Sequence, residues 1–193
     1  MTNLSELTDN QLVQAFRSGN NQALEILVSR YNEKIFSTIL FLVKDKFLAE
    51  DLFQDAFIKI IDTIRNNRYT EEGKFLPWAV RIAHNLCIDH VRKVKRAPVV
   101  ETGNNNDIFQ LFNSNEEASD KKLMQEETQE RVKLMLNLLP PEQREIVVLR
   151  HYADLSFKEI AEITNCSINT CLGRMRYGLI NMRKLLTEKQ VAL

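Results

Sequence analysis

The stretch from Leu155 to Tyr177 carries the residue types and spacing with the clearest chemical meaning. Ser156 is followed three residues later by Glu159, the pairing in which a hydroxyl and a carboxylate satisfy two orphan amides at a helix start. Thr164-Asn165-Cys166 has turn composition, and Ser167 is placed to cap a second helix. Helical geometry gathers Ile168, Cys171, Met175, Leu179 and Met182 on one side of that helix, and Asn169, Thr170, Gly173, Arg176 and Tyr177 on the other. Two helices joined by a short turn, the second showing amides, hydroxyls and cations near its N-terminus, form the helix-turn-helix arrangement that fits a DNA major groove. An ordinary helical hairpin is the competing reading of the spacing.

Two other helix faces are chemically marked. Asp51, Gln54, Asp55 and Asp62 lie opposite an apolar stripe made by Leu52, Phe53, Ala56, Phe57, Ile60, Ile61 and Ile64. Arg81, Asn85, Arg92 and Arg96 lie near one another on the outside of a helix opened by Pro77, with Ala79, Ile82, Ala83 and Leu86 turned inward. Neither face specifies catalysis. The sequence has no glycine-rich phosphate loop and no nucleophile-base-acid set, so the chain reads as a non-enzyme. His84, Cys87 and His90 are spread round the helix circumference with no fourth ligand near, which argues against a metal and leaves a core thiol and surface imidazoles. No cofactor is expected.

The elements that position these faces are helical throughout. Leu12 and Phe16, then Ala23, Leu24, Leu27 and Tyr31, recur at three- and four-residue steps, so the fold class is all-α. Gly19-Asn20-Asn21 separates a first helix from one spanning about Gln22 to Val43; a third begins near Leu48, and Arg65–Leu76 forms a loop. Pro98 ends the fourth helix, and periodicity returns at Lys122 and again over Glu142–Tyr152 after Pro140-Pro141. Thr102–Asp120, rich in Asn, Ser and acids, reads as a flexible linker. Two small helical domains follow, 1–98 and 122–193, joined by an acidic linker over 99–121.

The charge distribution supports this division. Lys+Arg and Asp+Glu both number 26, yet Arg81–Arg96 carries +4, Val99–Glu130 carries −6 and Asn165–Leu193 carries +4. Two basic patches able to meet phosphate therefore hide inside a neutral total. The longest apolar run, Ile39–Val43, is far short of the roughly 18 residues of a membrane span. Met1–Gln14 has no basic-then-apolar start, and an odd set of three cysteines reads as reduced thiols, so a cytoplasmic location is expected.

The chain resembles, over nearly all its length, bacterial alternative sigma factors of the extracytoplasmic-function group. Ala49-Glu-Asp-Leu-Phe-Gln-Asp-Ala-Phe57 looks like the helix by which sigma factors grip the clamp of core RNA polymerase. Phe75-Leu-Pro-Trp-Ala-Val-Arg-Ile-Ala-His-Asn-Leu-Cys-Ile-Asp-His-Val-Arg92 looks like the segment that melts and reads the minus-ten promoter element. Leu139-Pro-Pro-Glu-Gln-Arg-Glu-Ile-Val-Val-Leu149, with the helix-turn-helix after it, looks like the reader of the minus-thirty-five element.

The resemblance assigns roles that the residue types can fill. Asp51, Gln54 and Asp55 would dock on a basic coiled coil, where complementary charge fixes register. A melted strand needs rings for its bases, for which Tyr69, Phe75 and Trp78 stand ready, and cations and amides for its backbone, supplied by Lys74, Arg81, Asn85, Arg92 and Lys93. Burial in the core is an equal reading of Trp78, and Asp89 is equally a local partner of Arg92 or Lys93. Asn169, Thr170, Leu172, Gly173, Arg176 and Tyr177 would approach bases or phosphates of the minus-thirty-five element, and Arg174 the backbone. Leu172-Gly173 departs from the polar or basic residue followed by Ser that many relatives carry; Leu172 is the right type to touch a thymine methyl. Core RNA polymerase, promoter DNA and an anti-sigma factor are the implied partners. The alternative is a helix-turn-helix regulator that is not a polymerase subunit.

Overall fold

The computed structural model describes residues 4–70, 73–96 and 131–191, all of whose regular elements are helical. The expected linker over 99–121, and the return of periodicity at Lys122, lie outside the described residues. A short turn, Leu4–Glu6, precedes α1 (Asp9–Arg17), α2 (Asn21–Val43), α3 (Lys46–Arg65) and α4 (Phe75–Arg96). Helical residues 131–138, here α5, are followed by α6 (Pro141–His151), α7 (Phe157–Thr164) and α8 (Ile168–Val191).

Capping explains where these helices begin. Asp45 accepts from the Leu48 amide at 3.0 Å, so α3 starts at Lys46, ahead of the expected Leu48. α4 starts at Phe75, and its first internal bond runs from the Trp78 amide to the Lys74 carbonyl at 3.2 Å. Pro77 therefore sits inside the first turn, where no amide donor is required. Arg17 holds the loop before it, donating to the carbonyls of Ile64 at 3.4 Å and Tyr69 at 2.6 Å.

α2 is the hub, packing on α1, α3, α4 and also α6. The apolar faces of α3 and α4 close on it with Ala56, Ile60, Ile64, Ala79, Ala83 and Cys87 fully or almost fully buried. One apolar cluster continues without a break from Leu12 in α1 to Cys171 in α8. The two helical units thus lie directly against each other. Phe41, near the end of α2, is covered by Leu136, Leu139, Val147 and Val148 of the second unit, and its ring meets Tyr152 at 4.4 Å between centroids.

Burial on α4 corrects one sequence expectation. His84 is not a surface imidazole; it is 4% exposed and faces Glu145 of α6. The α4 stripe is broader than periodicity implied: Val80 and His84 are buried as well, and His84 is covered by Glu145 of the second unit, whose α7 packs on α4. Cys87 is a core thiol, as expected, and burial pushes it up to about 12.

On α8 the inward side also differs from the expected one. Cys171 is buried, but Leu179 is half exposed and Gly178 takes the inward place. A Cβ on Gly178 would sit 3.1 Å from Val147 Cγ2, so the missing side chain is what lets α8 approach α6.

Two predictions follow from this packing. Gly173, with no atom within 4 Å of a built Cβ, should accept alanine with a gain of about 0.5–1 kcal/mol in helix propensity, whereas Gly178→Val should cost about 1–3 kcal/mol by overpacking, both read by chemical denaturation. Because only a thiolate alkylates, Cys87 should stay unmodified by iodoacetamide at pH 8 until the chain unfolds. Labelling that outpaces unfolding would show that the α4 core opens locally.

Candidate docking and nucleic-acid interfaces

Asp51, Gln54 and Asp55 all stand exposed on α3, away from its buried stripe. Among the described residues no ion pair engages Asp51 or Asp55. Phe47 and Ile58, 77% and 57% exposed, extend the same helical face at either end of the acids. Beside it runs a groove lined by Asn32, Glu33, Phe36, Glu50, Phe53 and Gln54, in which the Phe36 and Phe53 rings meet edge to face at 5.6 Å. The face is therefore mixed, acidic in the middle and apolar at its margins. Sequence reasoning missed Phe47 and Ile58, although their spacing from Asp51 and Asp55 in whole helical turns is a readable signal.

The expected minus-ten residues fall into two sets. Tyr69 and Phe75 are buried, 4% and 1% exposed, and form the wall behind the half-buried Trp78, with ring centroids 4.5 Å and 5.7 Å from it. In this conformation neither ring offers a face to an unstacked base, which corrects the expectation that all three aromatics stand ready for one. Arg17 holds the Tyr69 carbonyl and Tyr31 stacks on Phe75 at 5.6 Å, so the wall is anchored from α1 and α2. Lys74, Asn85, Arg92 and Lys93 are exposed. Arg92 lies 3.7 Å from Asp89 in an exposed pair, too weak to occupy it against a phosphate. Arg81 is turned toward the second unit, 3.4 Å from Glu162 of α7.

The helix-turn-helix forms as its caps dictate. The Ser156 amide donates to Glu159 Oε2 at 2.8 Å and the Glu159 amide donates to Ser156 Oγ at 3.3 Å, closing the capping box at α7. Asn165 takes the left-handed conformation, φ 51°, which ends α7 and turns the chain. Ser167 Oγ accepts from the Thr170 amide at 3.0 Å and caps α8. Asn169, Thr170, Leu172, Arg176 and Tyr177 project into solvent, Tyr177 at 62% exposure. Gly173 leaves open space between them. Arg174 Nη1 reaches back to Cys166 Sγ at 3.2 Å and braces the turn.

Comparison with known proteins agrees with this geometry. The sigma-70 region 2 family matches residues 27–97, α2 through α4, and the sigma-70 region 4 family matches residues 129–175. The RNA polymerase sigma-H factor of Pseudomonas aeruginosa is 29% identical over 176 residues, 89% of this chain and 90% of that protein. The ECF RNA polymerase sigma factor SigW of Bacillus subtilis is 29% identical over 191 residues, 95% of this chain and 99% of its own. In fold the chain is similar to CnrH, solved in complex with the cytosolic domain of CnrY, with TM-score 0.65, 21% identity and coverage of 93% and 97% of the two chains. It is likewise similar to the sigma factor RpoE solved with NepR from Bartonella quintana, with TM-score 0.63, 19% identity and coverage of 85% and 96%. A helix-turn-helix on one unit, an exposed acidic helix face on the other and both sigma-70 regions in order place this chain in the extracytoplasmic-function group of sigma factors, the non-enzymatic subunits that bring core RNA polymerase to promoters.

Proposed function

We propose that the two units divide initiation between them, with residues 1–98 binding core polymerase and opening the minus-ten element, residues 122–193 reading the minus-thirty-five element, and 99–121 joining them. The observation that carries the docking half is the α3 face. Phe47, Asp51, Gln54, Asp55 and Ile58 are exposed along one line of a helix whose other side already fills the core, so the fold itself has no use for them. Acids in the centre steer a basic partner and fix register, and apolar side chains at the ends supply area on contact.

Trp78, backed by Tyr69 and Phe75, is the ring available to a melted base, with Lys74, Asn85, Arg92 and Lys93 for the strand's phosphates. On α8, Arg176 is the residue suited to bidentate reading of a base edge, Leu172 to a thymine methyl, and Asn169, Thr170 and Tyr177 to flanking base or phosphate contacts, with Gly173 allowing close approach. Arg174 acts through the turn it braces. The chain works in the cytoplasm with core polymerase and promoter DNA. An anti-sigma factor is its third partner, by analogy with the complex of its structural neighbour RpoE with the anti-sigma factor NepR.

Reversing charge at both Asp51→Lys and Asp55→Lys should abolish capture by core polymerase while leaving the helical circular-dichroism spectrum intact; unchanged affinity contradicts the docking assignment. Arg176→Ala should weaken binding to the cognate minus-thirty-five sequence by ~1–3 kcal/mol if it reads a base, and an equal loss on scrambled DNA would make it a phosphate contact.

A further inference from the structure

Trp78, the only tryptophan of the chain, owes its setting to residues far from it in sequence. Its indole rests on Tyr69 and Phe75, and Phe75 in turn stacks on Tyr31 of α2, with centroids 5.6 Å apart and planes at 30°. The Tyr31 hydroxyl does not end in solvent. It donates to Asp9 Oδ2 at 2.5 Å, while Arg30 Nη1 donates to Asp9 Oδ1 at 2.6 Å, so both oxygens of one carboxylate are engaged. Arg30 also donates to the carbonyls of Ser5 at 3.2 Å and Leu7 at 3.1 Å, which fixes the backbone ahead of Asp9.

A ring that only fills space has no need of this arrangement. Phenylalanine would pack against Phe75 equally well and would leave no hydroxyl to be satisfied on a side chain that is half-buried. The hydroxyl adds direction. A hydrogen bond to a carboxylate is short and angle-dependent, so it confines the tilt and depth of the Tyr31 ring more closely than apolar contact does. Burial, reinforced by that carboxylate, pushes the Tyr31 phenol up to about 12, and it remains a donor well beyond neutral pH. Aromatic pairs are directional too, and Phe75 passes its setting to the indole through a contact tilted by 56° at 5.7 Å. The other wall is tied separately, by Arg17 Nη2 on the Tyr69 carbonyl at 2.6 Å.

We propose that Tyr31, held by Asp9, is a positioning residue for promoter opening: it sets Phe75, and through it the tilt and depth at which the Trp78 indole receives an unstacked base. The proposal rests on the assignment of Trp78 to the melted strand.

With one tryptophan in the chain, the fluorescence of the free full-length protein reads this ring alone. Tyr31→Phe keeps the stack and removes only the tie; it should lower the anisotropy of Trp78 and raise its acrylamide quenching constant about twofold, with helical circular dichroism unchanged. Tyr31→Leu removes the stack as well and should move both further. In holoenzyme reconstituted with each variant, the probe is a single-stranded oligonucleotide carrying the minus-ten sequence of a promoter mapped for this chain. Affinity for it should fall about fivefold with Tyr31→Phe and tenfold or more with Tyr31→Leu, within the range that a base–aromatic stack supplies. Capture of core polymerase and binding of a duplex minus-thirty-five fragment should not change, which separates positioning from a general loss of fold. Wild-type fluorescence or wild-type oligonucleotide affinity in Tyr31→Leu overturns the proposal, and the same result in Tyr31→Phe overturns the role given to the Asp9 tie. Trp78→Leu scores the underlying assignment separately: unchanged oligonucleotide affinity there shows that Trp78 is not the ring that holds the base, whatever Tyr31 does to its fluorescence.

Discussion

Successive residues on a helix point in different directions, and Thr38, Ile39, Leu40 and Phe41 of α2 are all buried. A helix with one apolar stripe can be covered from one side; this segment needs cover all round. Ile39 and Leu40 belong to the cluster that runs through both units, and Phe41 packs with Leu136, Leu139, Val147 and Val148 of α5, α6 and the turn between them. Ile39–Val43, the longest apolar run in the chain, is thus too short to enter a membrane and too apolar to be left in water. The placement of α6 on α2, the burial of His84 and the pairing of Arg81 all descend from that requirement.

The chemistry around the apolar centre differs from that of a domain core. A domain core satisfies its polar groups and leaves few charges inside. This contact holds a His–Glu pair, a lysine bonded to a backbone carbonyl and an arginine whose Nε lacks a hydrogen bond within the described residues. Attraction and penalty coexist there. The acidic face of α3 and the exposed side of α8 carry no such compromise, because neither is used by the fold.

Much of this was legible from residues alone. The Ser156/Glu159 box, the Thr164–Cys166 turn and the Ser167 cap were readable because each acts within three or four residues of itself. The acidic face of α3 was readable from periodicity. Helix starts moved by two residues at α3 and α4, where Asp45 and the Lys74 carbonyl take up the first amides. Leu179 and Gly178 exchanged places because α8 approaches α6 through a glycine, and a wheel drawn on one helix does not know where its neighbour lies.

The sequence by itself determined the helical class, the local caps, the order of the two sigma regions and which helix faces carry charge, since these depend on near neighbours and on side-chain type. Only the tertiary structure decided that Tyr69 and Phe75 are walls while Trp78 is the accessible ring, that Arg174 braces a turn, and that His84 is buried against Glu145. Each of those outcomes turns on which element occupies the far side of a residue, and His84 and Glu145 meet across 61 positions of chain. Periodicity marks the face of a helix that is to be covered; the identity of the cover is a property of the folded whole.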